Sequence, residues 1–491
     1  MKRSKHSLSN THLFSCDMGE LVPINMTETL PGDSLQISTS ALVRCAPMLS
    51  PPMHPVRVRI HHWFVPHRLV WSNFENFITG GPDGNNASVF PTWAGGAVTA
   101  GTLPNYLGLP VATVPAVSAL PFRAYTLIWN EYYRDQDLQT PLTVSLADGN
   151  DTTTNRALQN VCWEKDYFTS ARPWELKGTA AIIPLGGTAP VIRNAASTAA
   201  PLLRIASTGV LTGADPGLQI NASSQLRWTT NTNPTQLDPN GTMLADLSGV
   251  PAINVNTLRQ SLAIQRFQEA RARYGSRYPE YLLALGVRSS DARLNRPEYL
   301  GGGVQTIQFS EVVQSAADGA NPVSTLRGHG ITAMRSNRIR RFFEEHGYVI
   351  TLMSVLPKTI YTNGLDRTWN RRTKYDFWQR ELENLGQQGI LNKEIRANHA
   401  TPDGVFGYQD RYDEYRRSWS KVTGEFSQSS LNYWHFARDF ASDPTLNSTF
   451  VSAVPPERPF AAPSADVLYV QAFNSVKARR LVSFKANPKT F

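Results

Sequence analysis

The sequence has 491 residues, 41% of them hydrophobic and 10% aromatic, with 33 Gly, 33 Pro and three Cys. This excludes a collagen-like, low-complexity or wholly disordered chain, and the length suits either about three domains or one large sandwich with insertions. The 48 Lys plus Arg outnumber the 39 Asp plus Glu for a net charge of +9, yet the charged fraction of 18% is below the usual ~25%, so much of the surface is neutral.

Cys16, Cys45 and Cys162 are too few and too far apart for a disulfide framework or a zinc site, and read as small buried hydrophobes. The opening Met1-Lys2-Arg3-Ser4-Lys5 is basic like a signal-peptide start, but polar residues follow where an apolar stretch is required. No apolar run reaches the ~18 residues of a membrane span. Both ends are cationic. A basic N-terminal arm over 1–18 carries Lys2, Arg3 and Lys5, and a basic C-terminal tail over 476–491 carries Lys477, Arg479, Arg480, Lys485 and Lys489. Such segments either seek polyanions or are solvated, frayed termini.

Along the chain, residues 19–179 read as strands and turns with helical inserts. Leu30-Pro31-Gly32-Asp33 is a turn signal, and Val56-Arg57-Val58-Arg59-Ile60-His61 alternates with period two, sending Val56, Val58 and Ile60 to one face and Arg57, Arg59 and His61 to the other. Those cations either face water, pair with neighbouring carboxylates, or form a basic binding face. Ser72 is placed to cap a short helix through Phe74 and Phe77, and Phe122 to Arg134 has a helical apolar stripe. Residues 180–255 change character to Thr, Ala, Asn, Gly and Pro with recurrent turn signals, which predicts short strands and exposed loops in an insertion. From 256 the pattern resumes to 475. A long helix after Asn256 carries an apolar stripe (Ala263, Phe267, Ala270, Tyr274) and an arginine stripe (Arg259, Arg266, Arg273, Arg277). Tyr348 to Leu356 is a buried-strand run, and Asp466 to Phe473 supplies a late strand that can pair with the first. Strands at both ends with helices between them predict one mainly β sandwich with decorated loops.

Signatures of catalysis are missing: no nucleophile elbow, no P-loop, no His-Glu-x-x-His. Gly301-Gly302-Gly303 suits a tight strand approach better than an anion nest. His61 and His62, as strand neighbours, point to opposite faces and do not make a metal pair. Glu344 with Glu345, or Glu381 with Glu383, could be offered as an acid and base, which keeps a carbohydrate-active β-sandwich, a glycosidase or lectin-like module, as the alternative.

Seven ordered segments give the sequence a resemblance. They are Trp63-Phe64-Val65-Pro66-His67-Arg68-Leu69-Val70-Trp71; Arg123-Ala124-Tyr125 with Ile128-Trp129-Asn130-Glu131 and Arg134-Asp135-Gln136; Asp166-Tyr167-Phe168-Thr169-Ser170-Ala171-Arg172-Pro173; Arg296-Pro297-Glu298-Tyr299-Leu300-Gly301-Gly302; Asn392-Lys393-Glu394-Ile395; Val405-Phe406-Gly407-Tyr408-Gln409-Asp410-Arg411 with Glu414-Tyr415-Arg416; and Trp434-His435-Phe436-Ala437-Arg438-Asp439-Phe440. Together they resemble the major capsid protein of the Microviridae, in its gokushovirus-like branch, although His67 and the basic tail depart from that pattern. The resemblance implies an eight-stranded antiparallel jelly-roll sandwich with long, partly helical loop insertions. It further implies pentamers and sixty copies in a T=1 shell around circular single-stranded DNA, no enzymatic activity and no cofactor. Residues 180–255 would be a surface protrusion for a host cell-surface receptor.

Sixty copies at +9 supply about 540 positive charges, far fewer than the phosphates of even the reading frame for 491 residues, so a small basic DNA-packaging protein is an expected partner. Single-stranded DNA is held by cations along its backbone and by stacking of its bases. The residues that fit are Lys2, Arg3, Lys5, Lys477, Arg479 and Arg480 at the ends, Arg338, Arg340, Arg341 and Phe342 in one internal cluster, and Arg371, Arg372, Lys374 and Trp378 in another. Each internal cluster suits an intersubunit contact equally well.

Overall fold

Two antiparallel sheets carry the long strands of this computed structural model, which describes residues 3–179, 255–275, 277–316, 322–462 and 465–484, with six three-residue strands between 191 and 245. The strands used below are β1 (Ser4–Ser7), β2 (Asn10–Cys16), β3 (Val22–Thr29), β4 (Ser34–Cys45), β5 (Val56–Pro66), β6 (Glu298–Thr306), β7 (Gln308–Val313), β8 (Leu326–Arg335), β9 (Ile339–Phe342), β10 (Gly347–Pro357) and β11 (Leu468–Arg480). In the first sheet β11 lies between the N-terminal strands and β4, followed by β8 and β7, with β9 also on β4. The second sheet runs β6–β5–β10–β3. The chain is mainly β and its sheets are antiparallel, as the alternation predicts.

The first and last strands do pair: β1 lies against the carboxyl end of β11 (Lys5 opposite Arg479) and β2 against its start (Phe14 opposite Val470). Segments expected as a loose arm and tail are therefore strands over Ser4–Ser7 and up to Arg480, because a neighbour's backbone groups are there to satisfy theirs.

The sheets pack face to face. Val43, Val470 and Ala472 of the first meet Val58, Ile60, Met353 and Val355 of the second, and at one end Leu35, Ile37 and Val476 meet Phe64 and Val349. Each such side chain contributes about 1.5–3 kcal/mol on burial. A polar chain crosses this core. His62 bridges Thr351 Oγ1 (2.9 Å) and Ser336 Oγ (3.0 Å); that hydroxyl accepts the Thr39 N–H, and Thr39 Oγ1 donates to Asn474 Oδ1. Burial holds the His62 pKa down at about 4, so the ring is neutral and serves as a hydrogen-bonding strut.

The other face of the second sheet is also covered. Helix α1 (Leu120–Ile128), extended through Tyr133 by a π-turn, lays Leu120, Phe122, Tyr125 and Ile128 against Trp63, Ile350 and Leu352. Arg123, fully buried on this helix, pairs with Asp151 at 2.7 Å and donates to the carbonyls of Val70 and Ala147. β10 is thus buried on both sides, which explains its unbroken apolar run. By contrast, the face of the first sheet away from the core is open: β11 alternates buried and exposed residues almost to its end.

The chain divides into two compact units, Met1–Lys177 with Glu269–Phe491, and Gly178–Gln268. The second contains three nested antiparallel pairs, Val191–Arg193 with Met243–Ala245, Leu203–Ile205 with Thr235–Leu237, and Leu218–Ile220 with Leu226–Trp228. Short strands are thus present where the turn signals predict them.

Other expectations shift. The short helix is Phe74–Thr79 with Asn73 at its N-cap position, while the Ser72 hydroxyl donates to the Leu146 carbonyl. The long helix α2 (Val255–Tyr274) forms, but its apolar stripe is not what it buries: Phe267 and Tyr274 are exposed and Ala272 is buried instead. Arg57 and Arg59 both pair with Glu164, so that side of β5 is an ion-paired surface. Gly302 lies in β6 so close to β5 that a Cβ would stand 2.2 Å from the Ile60 carbonyl oxygen. Cys16, Cys45 and Cys162 are free thiols, the first two buried.

Candidate nucleic-acid interface

Residues directly opposite in an antiparallel pair point to the same side, so strand register fixes what the open face of the first sheet carries. One row across it reads Ser7, Lys477, Gln36, Arg340; the next, two residues along, reads Lys5, Arg479, Ser34, Phe342. Arg3 reaches the same place, its guanidinium 5.0 Å from the centre of the Phe342 ring. Three segments far apart in sequence converge here because β11 and β4 are central strands with partners on both edges. Lys5, Arg340, Lys477 and Arg479 surround a groove of about 570 Å³ to which no carboxylate contributes. Arg3, Lys5, Arg340, Lys477 and Arg479 form no ion pair among the described residues, so their charge is uncompensated.

The remaining sequence candidates separate. Arg341 and Arg480 alternate to the opposite side and are neutralised there, Arg341 by Glu298 at 2.7 Å and Arg480 by the buried Asp33 at 2.9 Å with a further donation to the Glu28 carbonyl. Arg338 is exposed in the link between β8 and β9. Lys2 lies outside the described residues. The second internal cluster is not on this sheet. Arg371 stacks between the rings of Phe377 (5.5 Å) and Tyr415 (4.5 Å) and lies 3.8 Å from Glu414; Lys374 covers Tyr375, Arg372 is exposed, and the Trp378 N–H donates to the Tyr415 hydroxyl. With Trp369 78% exposed beside it, this is an aromatic patch with cations woven into it.

The far end of β11 has the reverse charge. Asp17 accepts the Val467 N–H, Ser15 Oγ donates to Asp466, and Glu20 accepts the Asp17 N–H. Burial first, then the neighbouring Asp17 and Asp466, push the Glu20 pKa up to about 7.

Taking the odd-numbered positions of the late strand as one face would have put Lys477 and Arg479 together with Tyr469 and Phe473, two rings absent from the candidates named above. Arg335 and Arg44 could not be found that way, since only the pairing of β8 and β11 with β4 brings them alongside.

Each acid–base candidate pair has one carboxylate taken up by an arginine. Glu345 is held by Arg68 at 2.7 Å and Glu383 by Arg416 at 3.3 Å. Among the described residues no group of His, Cys, Asp and Glu suits a metal ion, and no helix is long and apolar enough to cross a membrane. Two packed antiparallel sheets, one of them with an open face of unpaired cations, make a β-sandwich that offers a broad surface for docking. The chain belongs to the phage capsid protein (F protein) family, whose profile matches residues 1–488. It is similar to capsid protein VP1 of Bdellovibrio phage phiMH2K, 36% identical over 92% of this chain and 88% of that protein. It is likewise similar to capsid protein VP1 of Chlamydia phage 1 (32% identical; 94% and 91%) and of Spiroplasma virus 4 (31%; 91% and 87%). The protein is thus a major capsid protein of the virion, structural and not enzymatic, and it assembles as an oligomeric shell.

Proposed function

We propose that sixty copies, grouped as pentamers, close into a T=1 icosahedral shell around circular single-stranded DNA, and that the open face of the first sheet is turned to the genome. The observation that carries this reading is the set of five unpaired cations, Arg3, Lys5, Arg340, Lys477 and Arg479, on a surface without a carboxylate. Phosphates need counterions, and a shell contact that desolvated so many like charges would be strongly unfavourable without acids opposite. Arg338 extends the same patch on this reading, and Lys2 stays a candidate contact from the sequence alone. Arg341 and Arg480 support it by fixing β9 and β11 through their ion pairs. The 371–378 cluster, with its exposed rings and partly neutralised Arg371, suits a contact between copies better than DNA.

The subunit core is, on the same reading, an eight-stranded jelly roll. Counting β2, β3, β4, β5, β6, β8, β10 and β11 as first to eighth, one sheet runs first–eighth–third–sixth and the other second–seventh–fourth–fifth, the order of two interlocked Greek keys. Residues 180–255, poor in charge and falling within the unit Gly178–Gln268, are the candidate protrusion for host attachment. The charge deficit against the genome leaves room for a small basic packaging protein in the assembled particle.

Charge reversal at Arg340, Lys477 and Arg479 tests the reading. Shells should still form, seen by electron microscopy, but retain markedly less DNA. Failure to assemble would move this face to a subunit contact, and unchanged genome content would remove it from the interior.

A further inference from the structure

The cationic rows occupy only the carboxyl-terminal third of the open face. Following β11 back from Arg479, the same side presents Lys477, Ser475, Phe473, Gln471 and Tyr469 in succession, while Val476, Asn474, Ala472 and Val470 point into the core. Phe473 and Tyr469 are each 47% exposed, high for rings on a central strand. Neither meets another ring among the described residues. Each has a cation within its own row across the sheet. Tyr469 is directly opposite Arg44, and Phe473 is opposite Ser40, whose other neighbour is Arg335. Arg44 and Arg335 form no ion pair among the described residues. No Asp or Glu falls on this side of β11 or β4; the first carboxylate met is Asp466, beyond Tyr469, held by Ser15.

The face is therefore a lane of roughly 33 Å from Arg479 to Tyr469, at about 3.3 Å per residue. Cations dominate one end, and half-exposed rings flanked by cations dominate the other. Exposed aromatics on an acid-free cationic surface are what a single strand requires: its phosphates seek the charge, and its unpaired bases have free π-faces for stacking. A duplex hides those faces, and so gains nothing from the rings.

We propose that single-stranded nucleic acid runs along β11, with phosphates held at Arg479, Lys477 and Arg340 and bases stacked on Phe473 and Tyr469, without sequence preference. This deepens, and rests on, the reading that the open sheet faces the genome. It adds base recognition to what would otherwise be a purely electrostatic surface.

The test uses the full-length protein and two probes of equal length, a 20-nucleotide oligo(dT) and an abasic 20-mer with the same backbone and no bases. The wild type should bind oligo(dT) tenfold or more tighter than the abasic strand. Phe473→Ala with Tyr469→Ala should abolish that ratio while leaving abasic binding and its salt dependence in place, and Phe473→Tyr with Tyr469→Phe should restore it. Lys477→Glu with Arg479→Glu should weaken both probes and flatten the salt slope. If the alanine pair leaves the ratio intact while charge reversal still weakens binding, stacking on these rings is wrong and the genome-facing reading survives. Should neither pair of substitutions affect either probe, both fall. Binding to phosphatidylglycerol vesicles through these residues, with oligo(dT) binding unaffected by them, would reassign the lane to a membrane surface. Circular dichroism melting of each variant checks that the fold is retained.

Discussion

The central strands β10 and β11 are near neighbours in length and opposite in character. β10, in the second sheet, is buried along nearly all of its length between the first sheet and the α1 layer. β11, in the first, is buried on alternate residues only. The same sandwich thus has one sheet devoted to holding the fold and one with a face left over for function. What a strand does is set less by its own composition than by whether anything covers its second side.

The largest effect should come from breaking the layer that covers β10. Asp151→Ala leaves Arg123 charged and buried without its partner and should cost about 3–5 kcal/mol in urea unfolding. Ile350→Ala, on the α1 side of β10, should cost about 2–4 kcal/mol, whereas Phe473→Ala on the open side of β11 should stay near 0.5 kcal/mol. Equal losses at the two positions would erase the contrast between the strands.

Gly302→Ala probes the sheet edge. The added methyl meets the Ile60 carbonyl and should cost about 1–3 kcal/mol, weakening the β5–β6 pairing without touching the basic face.

Acid should act through the buried histidines. Burial lowers His54, His61, His62 and His67 to about 4, well under the ~6.5 of an unfolded chain. Between those values the unfolded state holds more protons, so this contribution to stability is complete above about 6.5 and is lost as pH falls toward 4. Glu20, raised to about 7, has the opposite sign: its protonated form is favoured in the fold, and that contribution disappears as pH rises through 7. The histidines by themselves act to lower the unfolding midpoint between pH 6.5 and 4, and Glu20 acts against them. His62→Gln, which retains a polar side chain but cannot titrate, should reduce that lowering.

The smallest expected effect on the fold is on the open face. Lys477→Glu with Arg479→Glu should leave the unfolding free energy within about 0.5 kcal/mol of wild type, since both residues are exposed and without ion partners among the described residues. A large loss would mean that these cations hold β1 to β11.

Local pattern is enough to specify the class: period-two alternation in β5 and β11, an unbroken apolar run in β10 and turn signals between them encode antiparallel strands in a sandwich. Seven ordered motifs specify the family, and most of the cations that matter are visible along the chain. Which of those cations are available is a matter of three-dimensional packing. Arg340 and Arg341 are adjacent and look alike in the sequence, yet strand alternation leaves one unpaired in an acid-free groove and turns the other onto Glu298. Lys477, Arg479 and Arg480 divide in the same way, Arg480 being taken by Asp33. Pairing across a sheet joins residues hundreds of positions apart, such as Lys5, Arg340 and Arg479, and no local pattern encodes that register. Ion pairs and uncovered faces arise only when distant segments meet, because Coulomb attraction and burial depend on distance in space and not on separation along the chain.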